Sequence, residues 1–157
     1  QKNYKFNINF RFVTIEEFTW LFLEQIYSRQ EQSEVKKALT VIISEKSADI
    51  YNQKTLRSMQ GSHFHLPVWR MDMAVACEQF HTLNLPVLAS TLSSDSIDYK
   101  DFAAPQQFAL VMGNEGNGIS ENMAQQATHL VHISMPGQAE SLNVAVAAGI
   151  LLFHLIA

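Results

Sequence analysis

The sequence predicts an α/β domain: a parallel sheet, doubly wound with helices on both faces. Three observations carry the prediction. Short β-branched runs without polar alternation, LTVIIS from Leu39 above all, have the pattern of strands buried on both faces. These runs alternate along the chain with segments of helical period. The length, 157 residues, suffices for one compact domain with a core but not comfortably for two.

Taken in order, residues 1–40 resist assignment. Thr14-x-x-Glu17 matches a capping box, and apolar positions at 18, 21, 22 and 26 continue at helical spacing, so a helix is expected from about Ile15 to Arg29. QEQSEVKK then breaks the apolar pattern. LTVIIS is the first expected strand. A loop and a short helix follow, carrying Lys54 and Arg57 at i, i+3 and stopping at Gly61; HLPVW, the next strand, completes one βαβ step. MDMAVACEQFHTLN is helical, apolar at 73, 75, 76 and 80. LPVLAST is a third strand with Pro86 at its start, where a missing N–H is tolerated. Residues 93–107 are loop-rich. FALVM is a fourth strand, ISENMAQQA a helix, LVHISM a fifth strand, and SLNVAVAAGILLFHLIA a long last helix with Ser141 as its expected N-cap.

Composition excludes several classes. Apolar residues at 47% and charged residues at 17% belong to a folded domain rather than a disordered chain. The longest apolar stretch, VAVAAGILLFHLIA, falls short of the roughly 18 residues of a membrane span and contains His154, so a buried helix and no membrane partner are expected. QKNYKFNINF has neither the apolar region nor the cleavage site of a secretory signal, and the single Cys77 forms no internal disulfide; a cytoplasmic protein is expected. Six histidines include no HExxH and no Cys/His pairing, so no metal site is expected. The net charge of −4 does not mark a nucleic-acid binder, and an RNA partner would need local patches. Lys54 and Arg57 are the candidates, against the alternative of a solvated helix face.

The stretch VMGNEGNGIS, residues 111–120, is a glycine-rich strand-to-helix turn, a natural anion site in principle. Its spacing fits neither G-x-x-x-x-G-K-[ST] nor G-x-G-x-x-G, and Glu115 inside it would repel a pyrophosphate. Glycines that let backbone approach a purine or ribose, with a carboxylate that favours a cation, suit a sulfonium cofactor better. A tight turn without function is the alternative for the loop taken alone. Some twenty residues later HISMPGQAESLNVAVAAG repeats the strand, loop, helix order, with Ser141 and Asn143 at the helix start. Loops after successive parallel strands face the carboxyl edge of the sheet, where α/β domains bind ligands.

GNEGNGIS followed by ISMPGQAESLNVAVAAGILLF closely resembles the second and third motifs of the SpoU/TrmH branch of the SPOUT superfamily, the RNA ribose 2′-O-methyltransferases. SADIYNQKTLRSMQGSHFHLPV resembles the family's segment between its first and second motifs, so the resemblance covers roughly residues 41–157. It implies an N-terminal segment over 1–38 and a SPOUT domain over 39–157, with the C-terminal part threaded into a deep trefoil knot, an arrangement almost absent elsewhere. It also implies S-adenosylmethionine bound in that knot by Thr91 and Leu92, by Gly113, Asn114, Glu115 and Gly116, and by Ile133, Met135, Ser141, Leu142 and Asn143. Glu115, Ser141 and Asn143 would organise the reaction, and Lys54 and Arg57, with Ser62 nearby, would hold phosphates of ribosomal or transfer RNA. A homodimer through the final helix is implied as well. The sulfonium methyl is already electrophilic, so such a protein must hold the ribose hydroxyl in line and assist loss of its proton.

The family's first motif, Asn-x-Gly-x-x-x-Arg ahead of the LTVIIS-like strand, supplies an arginine thought to activate the hydroxyl. No such run precedes Leu39; SRQEQSEVKK is too short and polar to supply the missing strand and helix. Either the chain is a degenerate member, a non-catalytic RNA-binding or dimerisation module, or residues are missing before LTVIIS. The intact remainder of the site favours the second reading. A base methyltransferase of another SPOUT branch is a third possibility, against which Ser141-Leu142-Asn143 argues.

Overall fold

The computed structural model describes residues 11–15, 39–114, 116–135 and 142–156. Among these residues, seven parallel strands form one sheet: β1 (Arg11–Ile15), β2 (Leu39–Ile43), β3 (Val68–Arg70), β4 (Val87–Ser90), β5 (Ile97–Asp98), β6 (Ala109–Met112) and β7 (His129–His132). Their order across the sheet is β3-β2-β1-β6-β4-β7-β5. The described helices are α1 (Gln53–Met59), α2 (Met73–Thr82), α3 (Glu121–Gln126) and α4 (Val144–Leu155). All five strands expected from the sequence are present, with β3 beginning at Val68 rather than His65.

Burial explains why β2, β4 and β6 lack polar alternation. Residues 40–43, 87–89 and 109–112 are buried, because apolar layers cover both faces. One layer joins Val41, Ile43, Leu88 and Leu110 to Met59 of α1 and to Ala148, Leu151 and Leu152 of α4. The opposite layer joins Ile42, Val87, Ala109 and Val111 to Ala76, Cys77 and Phe80 of α2 and Met123 of α3. Adjacent residues of one strand therefore serve different cores, as a period of two requires. Among the described residues no helix is long and apolar enough to cross a membrane.

The helices begin on side-chain caps. Asn52 accepts from the Lys54 amide at 2.9 Å, Asp72 from those of Ala74 and Val75, and Ser120 from that of Met123. Left-handed Gln60 and Gly61 end α1, in agreement with the expected stop. The N-cap of α4 is Asn143, not Ser141: its Oδ1 accepts from Ala145 N at 3.0 Å and Val146 N at 3.4 Å. Ser141 itself lies outside the described residues.

Three further differences concern strands. RFVTI forms β1 inside the sheet, paired to β2 on one side and β6 on the other, so the sheet draws a strand from the 1–38 segment. The expected helix over 15–29 therefore overlaps β1 at Ile15; residues 16–29 lie outside the described residues. Within the loop-rich stretch 93–107, the two-residue β5 forms by pairing with β7, a contact that no local pattern announces.

Candidate functional site

The carboxyl ends of three neighbouring strands, β6, β4 and β7, send their loops to one cleft of about 370 Å³. Ser90, Thr91 and Leu92 come from β4; Met112, Gly113, Asn114, Gly116 and Gly118 from β6; His132, Ile133 and Met135 from β7. Leu142, Val144 and Ala147, at the start of α4, close it. This is the sheet edge at which open α/β domains bind ligands, and the volume suits a small molecule.

Each loop is held by its own backbone chemistry. Thr91 N donates to Val131 O at 3.0 Å, which carries the β4–β7 ladder one step beyond the strand and fixes Thr91 at the rim. In the glycine loop, Asn114 Oδ1 accepts from Gly116 N at 2.9 Å and Asn117 N at 2.6 Å, while the Asn114 and Gly118 backbones exchange two bonds of 3.1 Å. Gly118 takes the left-handed φ of 66° that this closure needs. A Cβ on Gly113 would collide with the Gly118 carbonyl and the Ile119 nitrogen. The expected close approach at Gly113 is thus made by the loop's own backbone. The glycine shapes the wall rather than leaving space for a ligand.

The described lining carries no Asp, Glu, Lys or Arg. Leu92, Met112, Ile133 and Leu142 offer apolar surface, and Ser90, Thr91, Asn114 and exposed backbone offer hydrogen bonds, a combination suited to a flat heterocycle joined to a ribose. Behind the cleft, His132 Nδ1 lies 2.9 Å from Ser96 Oγ and its Nε2 3.2 Å from Ser134 Oγ. The Ser134 hydroxyl, then the Lys100 amide, hold the carboxyl of the partly exposed Asp98 below the usual aspartate range. The charges of His132 and Lys100 add to this, and desolvation opposes it.

The structure brings together Thr91, Leu92, Gly113, Asn114, Gly116, Ile133, Met135 and Leu142 as expected. Glu115 and Ser141 lie outside the described residues. Asn143 is exposed and stands beside the cleft, its Oδ1 committed to capping α4. Lys54 and Arg57 share the solvent side of α1 and do not line the cleft. Ser62 corrects the expectation: only 2% exposed, it donates to Met59 O at 2.7 Å and locks the turn after α1, so it cannot face RNA. Sequence reasoning missed Ser90, Met112 and His132. Each is the last residue of its strand, the signal that would have found them.

Comparison with known proteins matches residues 33–153 to the SpoU rRNA Methylase family. The chain is 39% identical over 115 residues to the 23S rRNA (guanosine(2553)-2′-O)-methyltransferase RlmP of Bacillus subtilis, covering 73% of this chain and 46% of that protein. The AdoMet-bound rRNA methyltransferase from Sinorhizobium meliloti superposes with a TM-score of 0.76 at 27% identity, over 95% of this chain and 56% of that one. AviRb from Streptomyces viridochromogenes, in complex with AdoMet, gives 0.76 at 26% identity, over 97% and 58%. The chain thus spans about half the length of the curated relatives it matches. With the loops after β4, β6 and β7 converging where the motifs require, and the family match running from 33 to 153, the chain belongs to the SpoU rRNA methylase family.

Proposed function

We propose that this chain carries the methyltransferase domain of an RNA ribose 2′-O-methyltransferase that uses S-adenosylmethionine and acts on ribosomal or transfer RNA. The observation that carries the reading is the cleft between the β4, β6 and β7 loops and the start of α4, whose described lining holds no Asp, Glu, Lys or Arg. Leu92, Ile133 and Leu142 would enclose the adenine, and Thr91, Asn114 and loop backbone would hold the ribose and amino-acid portions. The bound cofactor supplies an electrophilic methyl group. Glu115 and Ser141, with Asn143 at the α4 start, would orient the ribose hydroxyl and assist loss of its proton. No arginine lines the cleft among the described residues, and Arg70 donates to the carbonyls of Ser44, Glu45, Ser47 and Ala48. The activating arginine is therefore not assigned to it.

RNA phosphates would meet Lys54 and Arg57. The family relationship supports threading of the C-terminal segment into a deep trefoil knot; a chain trace through 136–141 that leaves it unthreaded overturns this. It also supports a homodimer through α4, whose Val146 is 52% and Phe153 38% exposed. The domain would extend over 39–157 together with β1.

Calorimetric titration with S-adenosylhomocysteine tests the cofactor reading: stoichiometric binding supports it, and no binding favours the non-catalytic module. Methyl transfer to RNA, followed by alkaline hydrolysis, tests the position, because a 2′-O-methyl group removes the nucleophile that alkali needs. Label recovered in a base-modified nucleoside overturns the ribose assignment.

A further inference from the structure

We propose that the surface around α1 and the turn that follows it is a stacking platform for unpaired RNA bases, with Phe64 as its central ring; the proposal rests on the RNA reading above. Phe64 is 81% exposed, more than any other large apolar side chain described, and Tyr51 at the opposite end of α1 is 72% exposed. Single exposed rings are ordinary on protein surfaces. Their charge setting is not.

Residues 50–71 contain Lys54, Arg57, Arg70, His63 and His65 and not one carboxylate, in a chain of net charge −4. Arg70 is committed to four backbone carbonyls, while Lys54 and Arg57 are exposed and lie between Tyr51 and Phe64 in the sequence. Rings interleaved with cations match a nucleic-acid strand, whose phosphates meet the charges while its bases stack on the rings. A protein partner would call for an apolar patch depleted of charge, which a segment with exposed Lys54 and Arg57 does not favour. Duplex RNA hides the faces of its bases, so the occupant is unpaired RNA.

The ring is also presented rigidly. His63 backs it at 3.9 Å between centroids, tilted 39°. Phe64 N donates to Gly61 O and His65 N to Ser62 O, each at 3.0 Å, and the turn is flanked in sequence by the buried Met59 and Leu66. Little ordering remains to oppose binding.

The test measures fluorescence anisotropy of a labelled single-stranded oligouridylate of roughly ten nucleotides against the full chain. Phe64→Ala should raise Kd about tenfold, and Phe64→Trp should restore affinity, because indole stacks at least as well. Replacing Lys54 and Arg57 by Ala should reduce the salt slope by about 0.7 for each phosphate that is no longer neutralised. Equal affinities of Phe64→Ala and wild type overturn the platform. An altered sedimentation profile with unchanged RNA affinity also overturns it and makes Phe64 a contact between copies. Wild type that binds no RNA overturns it too; titration of the same sample with S-adenosylhomocysteine then decides the proposed function separately, since Phe64 does not line the cofactor cleft.

Discussion

Gly113, Gly116 and Gly118 occupy one loop for different physical reasons. Gly113 is confined by the backbone of Gly118 and Ile119, Gly118 by its left-handed φ, and Gly116 by neither, since a Cβ there would meet only Asn114 Oδ1 at 3.6 Å. Gly113→Ala should therefore cost about 1–3 kcal/mol of stability through overpacking and displace the cleft wall. Gly116→Ala should leave the melting temperature within a degree or two, as for surface changes of under about 0.5 kcal/mol. Thermal unfolding of both variants checks the contrast, and equal losses would contradict the geometry. Asn143 has two duties to separate. Asn143→Ala should lose about 1 kcal/mol through the cap, whereas Asn143→Ser keeps a capping oxygen and most of that stability. If Asn143 also acts in methyl transfer, turnover falls in both variants while stability falls chiefly in the first. The motif made Asn143 a site candidate in the sequence, but its cap was not visible there, because choosing between Ser141 and Asn143 requires knowing which residue leaves the helical torsion range.

At the scale of elements, polar contacts help to hold the edge formed by β5 and β7. Asp98 titrates lower in the folded chain than unfolded, since the Ser134 hydroxyl and the Lys100 amide stabilise its anion. The sign follows from linkage: its contribution is complete above the unfolded aspartate value, and is lost as pH falls through the lower folded value. Because the residue is still partly exposed to solvent, the effect should be small. NMR titration of Asp98 should give a midpoint below that of an unstructured aspartate, and Ser134→Ala should move it upward; an unmoved midpoint would contradict the assigned cause. At the opposite edge, Arg70 of β3 joins the end of β2 to the following turn through four carbonyls at 2.8–3.1 Å. Arg70→Met should cost on the order of 1–3 kcal/mol, readable in urea unfolding. LTVIIS, FALVM and LPVLAST announced their strands because burial on both faces leaves a continuous apolar signature. β1 did not, since RFVTI merges with a helix-like pattern, and β5 is too short to have a period.

For the whole molecule, cofactor binding and assembly are the measurable consequences. If the cleft binds S-adenosylhomocysteine only when folded, a ligand concentration of a hundred times Kd should stabilise the chain by about 2.7 kcal/mol and raise its melting temperature by several degrees. A thermal scan without any shift would argue against the cleft as the cofactor site. Val146→Asp, placing a charge on the exposed side of α4, should convert the proposed dimer to monomer in sedimentation. A variant that stays dimeric would move the interface elsewhere.

The order of residues alone was enough for the fold class, the alternation of elements, and the two loops whose motifs carry the family resemblance, because these depend on periodicity, turn chemistry and spacing along the chain. Three-dimensional folding settled what depends on distant partners. It placed β4 between β6 and β7, so that loops from residues 90–92, 112–118 and 132–135 share one cleft. It turned Gly113 toward its own loop, buried Ser62 in the turn after α1, and left Phe64 in solvent. Side-chain exposure and strand neighbours are properties of packing between segments far apart in sequence, and a local pattern contains neither.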